Sequence, residues 1–161
     1  MSVMPEQTIA IGADHAGVDL KETLKRHLET RGYRVLDFGT DGPASVDYPD
    51  FAHVVADAVE SGVAQRGVLV CGSGIGISMA ANRHAGIRAA PCHDVTTARL
   101  SRQHNDANII ALGARLTPPA AAIECLETFL ATDYEGGRHD RRLAKLTPAA
   151  HDQPQYERVQ G

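Results

Sequence analysis

The chain has 161 residues, 43% hydrophobic and 22% charged, with three Phe, four Tyr and no Trp, which suits a single domain built on an aliphatic core. Sixteen basic against 20 acidic residues leave a net charge of −4, the wrong sign for a broad nucleic-acid-binding face. Three widely spaced cysteines without a CxxC pair, a start without a leader-like pattern and the lack of any long apolar run argue against a disulfide framework, a zinc ribbon, secretion and membrane spanning, and suit a reduced cytoplasm.

Short β-type runs alternate with longer amphipathic stretches. TIAIG (8–12) is the first predicted strand; a helix over 18–32 follows, with Leu20, Leu24 and Leu28 at helical spacing and Gly32 as its stop. RVLDFG (34–39), GVLVCG (67–72), GIRAAPC (86–92) and ANIIALG (107–113) are the remaining strands. Helices are expected over 50–62, 74–83, 94–105 and 119–132, the last opened by prolines, with a short one over 137–146. Residues 147–161 lack an apolar period and carry two prolines; they read as a C-terminal tail, flexible or packed on a partner subunit, behind a domain over 1–146.

Five apolar strands separated by helices predict one α/β doubly wound domain, a five-stranded parallel sheet with helices on both faces. Ligands in such sheets bind beyond the carboxyl ends of the strands. That directs attention to ADHAG (13–17), FGTDGPASVDYPD (38–50), CGSGIG (71–76), PCHD (91–94) and LGAR (112–115).

In LVCGSGIGI (69–77) one cysteine is delivered onto a glycine-rich turn at a helix start. Backbone N–H groups there favour an anion: phosphate, oxyanion or thiolate. A buried structural cysteine is the plainer alternative, but the glycines leave backbone room for something to approach. A dinucleotide fingerprint needs glycine where Ile77 stands, a cysteine-phosphatase loop needs arginine at that same place, and the GK[ST] of a P-loop occurs nowhere. Asp14 either caps a helix or serves a site; His104 and Asn105 in QHNDAN (103–108) either close a helix or do chemistry. Arg138 and Arg142, one helical turn apart, either grip a phosphate or form a solvated face.

Taken in order, GADHAG, DYPD, CGSGIGIS, HNDAN, LGAR and GGRHxxR, read as gathered at one sheet edge, resemble the ribose-5-phosphate isomerase B family, within a wider group of galactose- and allose-phosphate isomerases. The resemblance covers roughly residues 7–146. It implies an aldose–ketose isomerase for a sugar phosphate that works through an enediolate without metal or other cofactor, in a homodimer or a dimer of dimers, with Cys71 and its loop on one subunit and His104, Asn105 and Arg115 on the other. Carried over by position, Cys71 would shuttle the proton between C1 and C2. Ser73 with the amides of Gly72, Gly74 and Gly76 would hold the enediolate oxygen, and Asp14 would hold sugar hydroxyls. His104 would assist ring opening and Asn105 would steady developing charge. His15, Arg115, Arg138 and Arg142 would hold phosphate, with Tyr48 beside the site.

The chemistry is coherent apart from the resemblance, since abstracting a proton next to a carbonyl needs a positioned base and donors aimed where oxyanion charge develops. A non-catalytic flavodoxin-like module binding a phosphorylated ligand in the same loop is the competing reading. A different sugar phosphate, hexose or tetrose, would leave the mechanism unchanged.

Overall fold

The computed structural model describes residues 7–147; from 148 on, the expected tail lies outside them. The strands β1 (Thr8–Ala13), β2 (Arg34–Asp37), β3 (Arg66–Cys71), β4 (Ala89–Pro91) and β5 (Ile109–Gly113) form one sheet in the order β2-β1-β3-β5-β4. All four pairings are parallel. The helices are α1 (Val18–Thr30), α2 (Tyr48–Glu60), α3 (Ile75–Ala81), α4 (Val95–Gln103), α5 (Pro119–Ala131) and α6 (Asp140–Ala144), with 3-10 turns at His15–Gly17 and Gly137–His139.

The expected doubly wound architecture is the one observed, because strands buried on both faces read as continuous apolar runs. Successive residues alternate between two cores. Ile9, Ile11, Val68, Val70, Ile110 and Leu112 meet Leu20, Leu24 and Leu28 of α1 and Phe129 of α5. Ala10, Leu69, Cys71, Ile109 and Ala111 face the other way, onto Val55 and Val59 of α2 and Ile77 of α3. α2 packs beside α3, and α5 beside α4 and α1.

Several boundaries differ from the sequence expectation. β2 ends at Asp37, two residues early. α2 begins at Tyr48, not 50, because Pro49 is accommodated in its first turn. β4 has three residues: Ile87 N–H closes a turn onto His84 O and Arg88 N–H goes to the Asn108 side chain, so the run before Ala89 is a turn. α4 stops at Gln103, leaving His104 and Asn105 beyond it, and the last predicted helix is broken at His139.

The chain steps from β1 outward to β2, then crosses back so that β3 lies on the other side of β1. This reversal opens a crevice at the carboxyl ends of β1 and β3. One wall is anchored by Lys21, whose side chain is fully buried and donates to Asp37 Oδ2 at 2.7 Å and Glu22 Oε1 at 2.9 Å. Asp37 Oδ1 accepts in turn from Gly39 N at 2.9 Å.

Burial pushes Asp37 up, but the hydrogen bonds from Lys21 and Gly39 outweigh it and hold the carboxyl below its ordinary range. Burial likewise opposes the charge on Lys21, and its bonds to Asp37 and Glu22 raise it above the usual lysine value. A depressed acid contributes stability above its unfolded pKa of about 3.9 and loses it as pH falls through the folded value. The raised lysine contributes below its unfolded pKa of about 10.4 and loses that as pH rises through the folded one. Asp37→Asn is therefore expected to cost about 1–3 kcal/mol at pH 7, a difference that narrows below pH ~4. Urea unfolding of both proteins at pH 7 and pH 3 measures it; a gap undiminished at pH 3 contradicts the assignment.

Candidate active site

At the carboxyl edge β1 runs into Asp14, 7% exposed. Its backbone N–H donates to Val70 O at 3.2 Å and its Oδ1 accepts from Ala16 N at 3.0 Å, which fixes the carboxylate at the crevice rim. His15 opens the 3-10 turn, and its Nδ1 accepts from Val46 N at 3.2 Å.

Cys71 ends β3, 4% exposed, and its Sγ accepts from Gly74 N at 3.2 Å. The turn that permits this bond needs glycine: Gly74 has φ +77° and lies against the backbone of Leu112 and Gly113. Ser73 Oγ accepts from Ile75 N at 3.2 Å, at the start of α3. The Tyr48 ring packs on Gly76, and the Arg115 guanidinium lies over Gly72. Asp14, Tyr48, Cys71, Gly72, Ser73, Gly76 and Arg115, with Leu116, line one open cleft of about 310 Å³; the expected placement of Arg115 on the other subunit is corrected, because the β3–β5 pairing carries it to Gly72 of its own chain. Leu116 escaped the sequence reading. Its only signal was an apolar residue in an otherwise polar turn.

The other two cysteines offer different chemistry. Burial pushes the Cys92 thiol up to about 11 and raises Cys125 as well, so both remain neutral thiols in the core at physiological pH.

The remaining expected residues are not here, and the reading of all the motifs as sharing one edge is corrected. His104 and Asn105 lie between α4 and the amino end of β5, whereas Cys71 pairs with Gly113 at its carboxyl end. A helix returning antiparallel to the strands must end at their amino edge, and the strand sets the two groups on the order of 15 Å apart. Gly137–His139 and α6 lie with His104: the His104 and His139 rings stack at 4.4 Å, and Glu135 N donates to Gln103 O. His139 is 7% exposed with its Nε2 3.5 Å from Glu135 Oε2. Arg138 and Arg142 are exposed, and Arg142 Nη1 donates to Arg138 O at 3.2 Å. Asn105 faces a second cavity of about 420 Å³, shared with Arg88 and Leu146.

Arg102, which no motif marks, is 4% exposed and organises this group. Its Nη1 donates to Asp106 Oδ1 at 2.8 Å and Ala107 O at 2.6 Å, and its Nε to Thr132 O at 3.1 Å. Asp106 holds φ +46° in the tight turn after Asn105, a conformation aspartate tolerates better than most residues.

Residues 9–146 match the family model described as Ribose/Galactose Isomerase. The chain belongs to that family. It is 46% identical over 139 residues to ribose-5-phosphate isomerase B of Escherichia coli, covering 86% of this chain and 93% of that one. It is 42% identical over 147 residues to D-erythrulose-4-phosphate isomerase of Pectobacterium atrosepticum, covering 91% and 97%. The crystal structure of Mycoplasma genitalium ribose-5-phosphate isomerase B with bound ribulose-5-phosphate superimposes with a TM-score of 0.86 at 39% identity, covering 91% of this chain and 97% of that one. This ribose/galactose isomerase family member is thus a sugar phosphate isomerase of the aldose–ketose class. Among its described residues no helix is long and apolar enough to cross a membrane.

Removing Arg102 leaves Asp106 and two backbone carbonyls short of a donor. Arg102→Ala is expected to cost about 3 kcal/mol or more in unfolding free energy, read by urea denaturation. A loss below about 1 kcal/mol would mean that the turn holds without it.

Proposed function

We propose that the protein interconverts ribose 5-phosphate and ribulose 5-phosphate through an enediolate, with Cys71 as the base, in a cytoplasmic homodimer whose sites draw on both subunits. The observation that carries this reading is the position of Cys71 Sγ at the cleft wall, accepting from Gly74 N at 3.2 Å. That donor stabilises negative charge on the sulfur before it takes a proton.

In the open-chain aldose the thiolate takes the C2 proton, the carbonyl at C1 gains electron density, and the enediolate forms. Ser73 and the turn amides of Gly72, Gly74 and Gly76 hold the developing oxyanion. Transfer of the hydroxyl proton from O2 to O1 and return of the carbon-bound proton from Cys71 to C1 give the ketose. Asp14 binds sugar hydroxyls and Tyr48 shapes the wall. Arg115 and His15, with Arg138 and Arg142 of the second subunit, hold the phosphate and so fix the reacting carbons.

His104 acts from the second subunit on the ring oxygen, and Asn105 beside it steadies charge. Two observations support a second copy over the cleft. The residues that would complete the site occupy the opposite edge of their own chain. Exposed apolar side chains also gather nearby: Leu116 lines the cleft at 58% exposure, and Ile75 at 47% and Met79 at 64% lie on α3, which starts from its glycine turn, a surface suited to association. The buried free cysteines suit a reducing compartment.

The likeness to an erythrulose-phosphate isomerase favours one second reading, in which the same machinery serves a tetrose phosphate. Comparing kcat/KM for ribose 5-phosphate, allose 6-phosphate, galactose 6-phosphate and erythrulose 4-phosphate decides between them. In the same assay Cys71→Ala is expected to lower kcat by roughly 10²- to 10⁴-fold with little loss of stability; near-normal turnover removes the base assignment.

The composite site has its own test. Inactive Cys71→Ala and His104→Ala chains, unfolded together and refolded, form about half mixed dimers, each with one doubly damaged and one intact site. Activity on the furanose substrate should return to roughly a quarter of wild type. No recovery in a sample shown by mass spectrometry to contain heterodimers overturns the shared site.

A further inference from the structure

A second group of chemistry-bearing side chains lies outside the isomerase residues, where α2 meets the loop between α3 and β4. His53, Asp57 and Glu60 recur at helical spacing on α2, and His84 comes to them from that loop. One ring nitrogen of His84, Nε2, is 2.8 Å from His53 Nδ1. The other, Nδ1, faces Asp57 Oδ1 at 3.5 Å and Glu60 Oε1 at 3.8 Å. Glu60 is oriented from behind, its Oε2 accepting from Gly86 N at 2.5 Å.

Those two separations exceed hydrogen-bond lengths of about 2.7–3.2 Å. They fit neighbouring donors around a metal: bonds of about 2.0–2.2 Å at angles of roughly 105–130° place ligand atoms about 3.3–3.8 Å apart. The three ligand atoms all lie within 4.8 Å of one another.

The imidazole pair sharpens the point. Only one nitrogen of the His53–His84 contact carries the shared proton. When His84 Nε2–H donates to His53 Nδ1, the lone pair on His84 Nδ1 is left facing two carboxylates. A cation between them converts repulsion into coordination, and His53 then does what outer imidazoles and carboxylates do at metal centres, fixing the tautomer and orientation of a ligating histidine.

We propose that His84, Asp57 and Glu60 bind a divalent cation of the zinc class, with His53 orienting His84 and water in the fourth position. An imidazole beside two carboxylates suits zinc, cobalt or nickel better than magnesium or calcium. The ion takes no part in proton transfer. It ties the carboxyl half of α2 to the turn after α3, and so clamps two helices of one sheet face. The grouping of His104, Glu135 and His139 is a poorer candidate, because stacked rings at 19° send their in-plane lone pairs parallel instead of convergent.

Calorimetric titration of the EDTA-treated full-length protein with zinc chloride tests this. One saturable site per chain is expected, weakened at least about tenfold by Glu60→Gln or Asp57→Asn, and lost in His84→Ala. His53→Ala should weaken it about 10- to 100-fold, as outer partners of metal ligands do. Cys71→Ala and His139→Ala should leave it unchanged. Cobalt chloride should give the visible bands of a four-coordinate nitrogen–oxygen site without thiolate charge transfer, and zinc should raise the Tm of wild type but not of His84→Ala. Glu60→Gln keeps an acceptor for Gly86 and so tests the site even where His84→Ala folds poorly. Absence of saturable binding overturns the proposal, as does wild-type affinity in both His84→Ala and Glu60→Gln. Loss of binding in Cys71→Ala or His139→Ala would put the ion at the cleft thiol or at the His104, Glu135 and His139 grouping and equally overturn it.

Discussion

The register between β3 and β5 holds the cleft together. Cys71 lies opposite Gly113, and the pairing continues past both strand ends, with Ala114 N donating to Cys71 O and Arg115 N to Gly72 O. Two loops are thereby zipped into one wall, with the thiol on one side and the guanidinium on the other. The closeness has a strict condition: a Cβ at position 113 would come within 2.6 Å of Ser73 O. Any side chain there would push the glycine turn off β5 and carry the Cys71–Gly74 hydrogen bond with it.

Much of this was legible in the sequence, for identifiable reasons. A parallel strand covered by helices on both faces must be apolar throughout, so the three central strands announced themselves. The glycine turn after Cys71 could be read because left-handed backbone has few tenants. What stayed hidden was relational. Nothing local in GIRAAPC says that β4 pairs on one side alone and is short, and nothing in the helical pattern around Arg102 says that its guanidinium is enclosed. Helix polarity, not residue type, decides which sheet edge receives His104. A list of motifs in chain order carries no such sign, and the two halves of the candidate site were therefore read as one.

Arg102 shows how a single planar cation can substitute for a local core. Its donors reach the Asp106 carboxylate, Ala107 O and Thr132 O, linking the end of α4, the entry to β5 and the exit from α5. Few apolar contacts are available where helices end, so directional bonds set the geometry instead. The stacked His104–His139 pair and the Glu135–Gln103 backbone bond build on that anchor.

The shortness of the outer strands also bears on solubility. An open sheet exposes unpaired backbone along its two margins, an invitation to another chain to add itself there. Here β2 has four residues, with Arg34 at one end and Asp37 at the other, and β4 has three and finishes at Pro91. On the outer side of β4 the Asn82 side chain satisfies both backbone groups of Ala89, accepting from its N–H at 2.8 Å and donating to its O at 2.9 Å. One amide thus imitates a neighbouring strand and ends the sheet, so that chains brought together through other surfaces have little backbone left with which to polymerise.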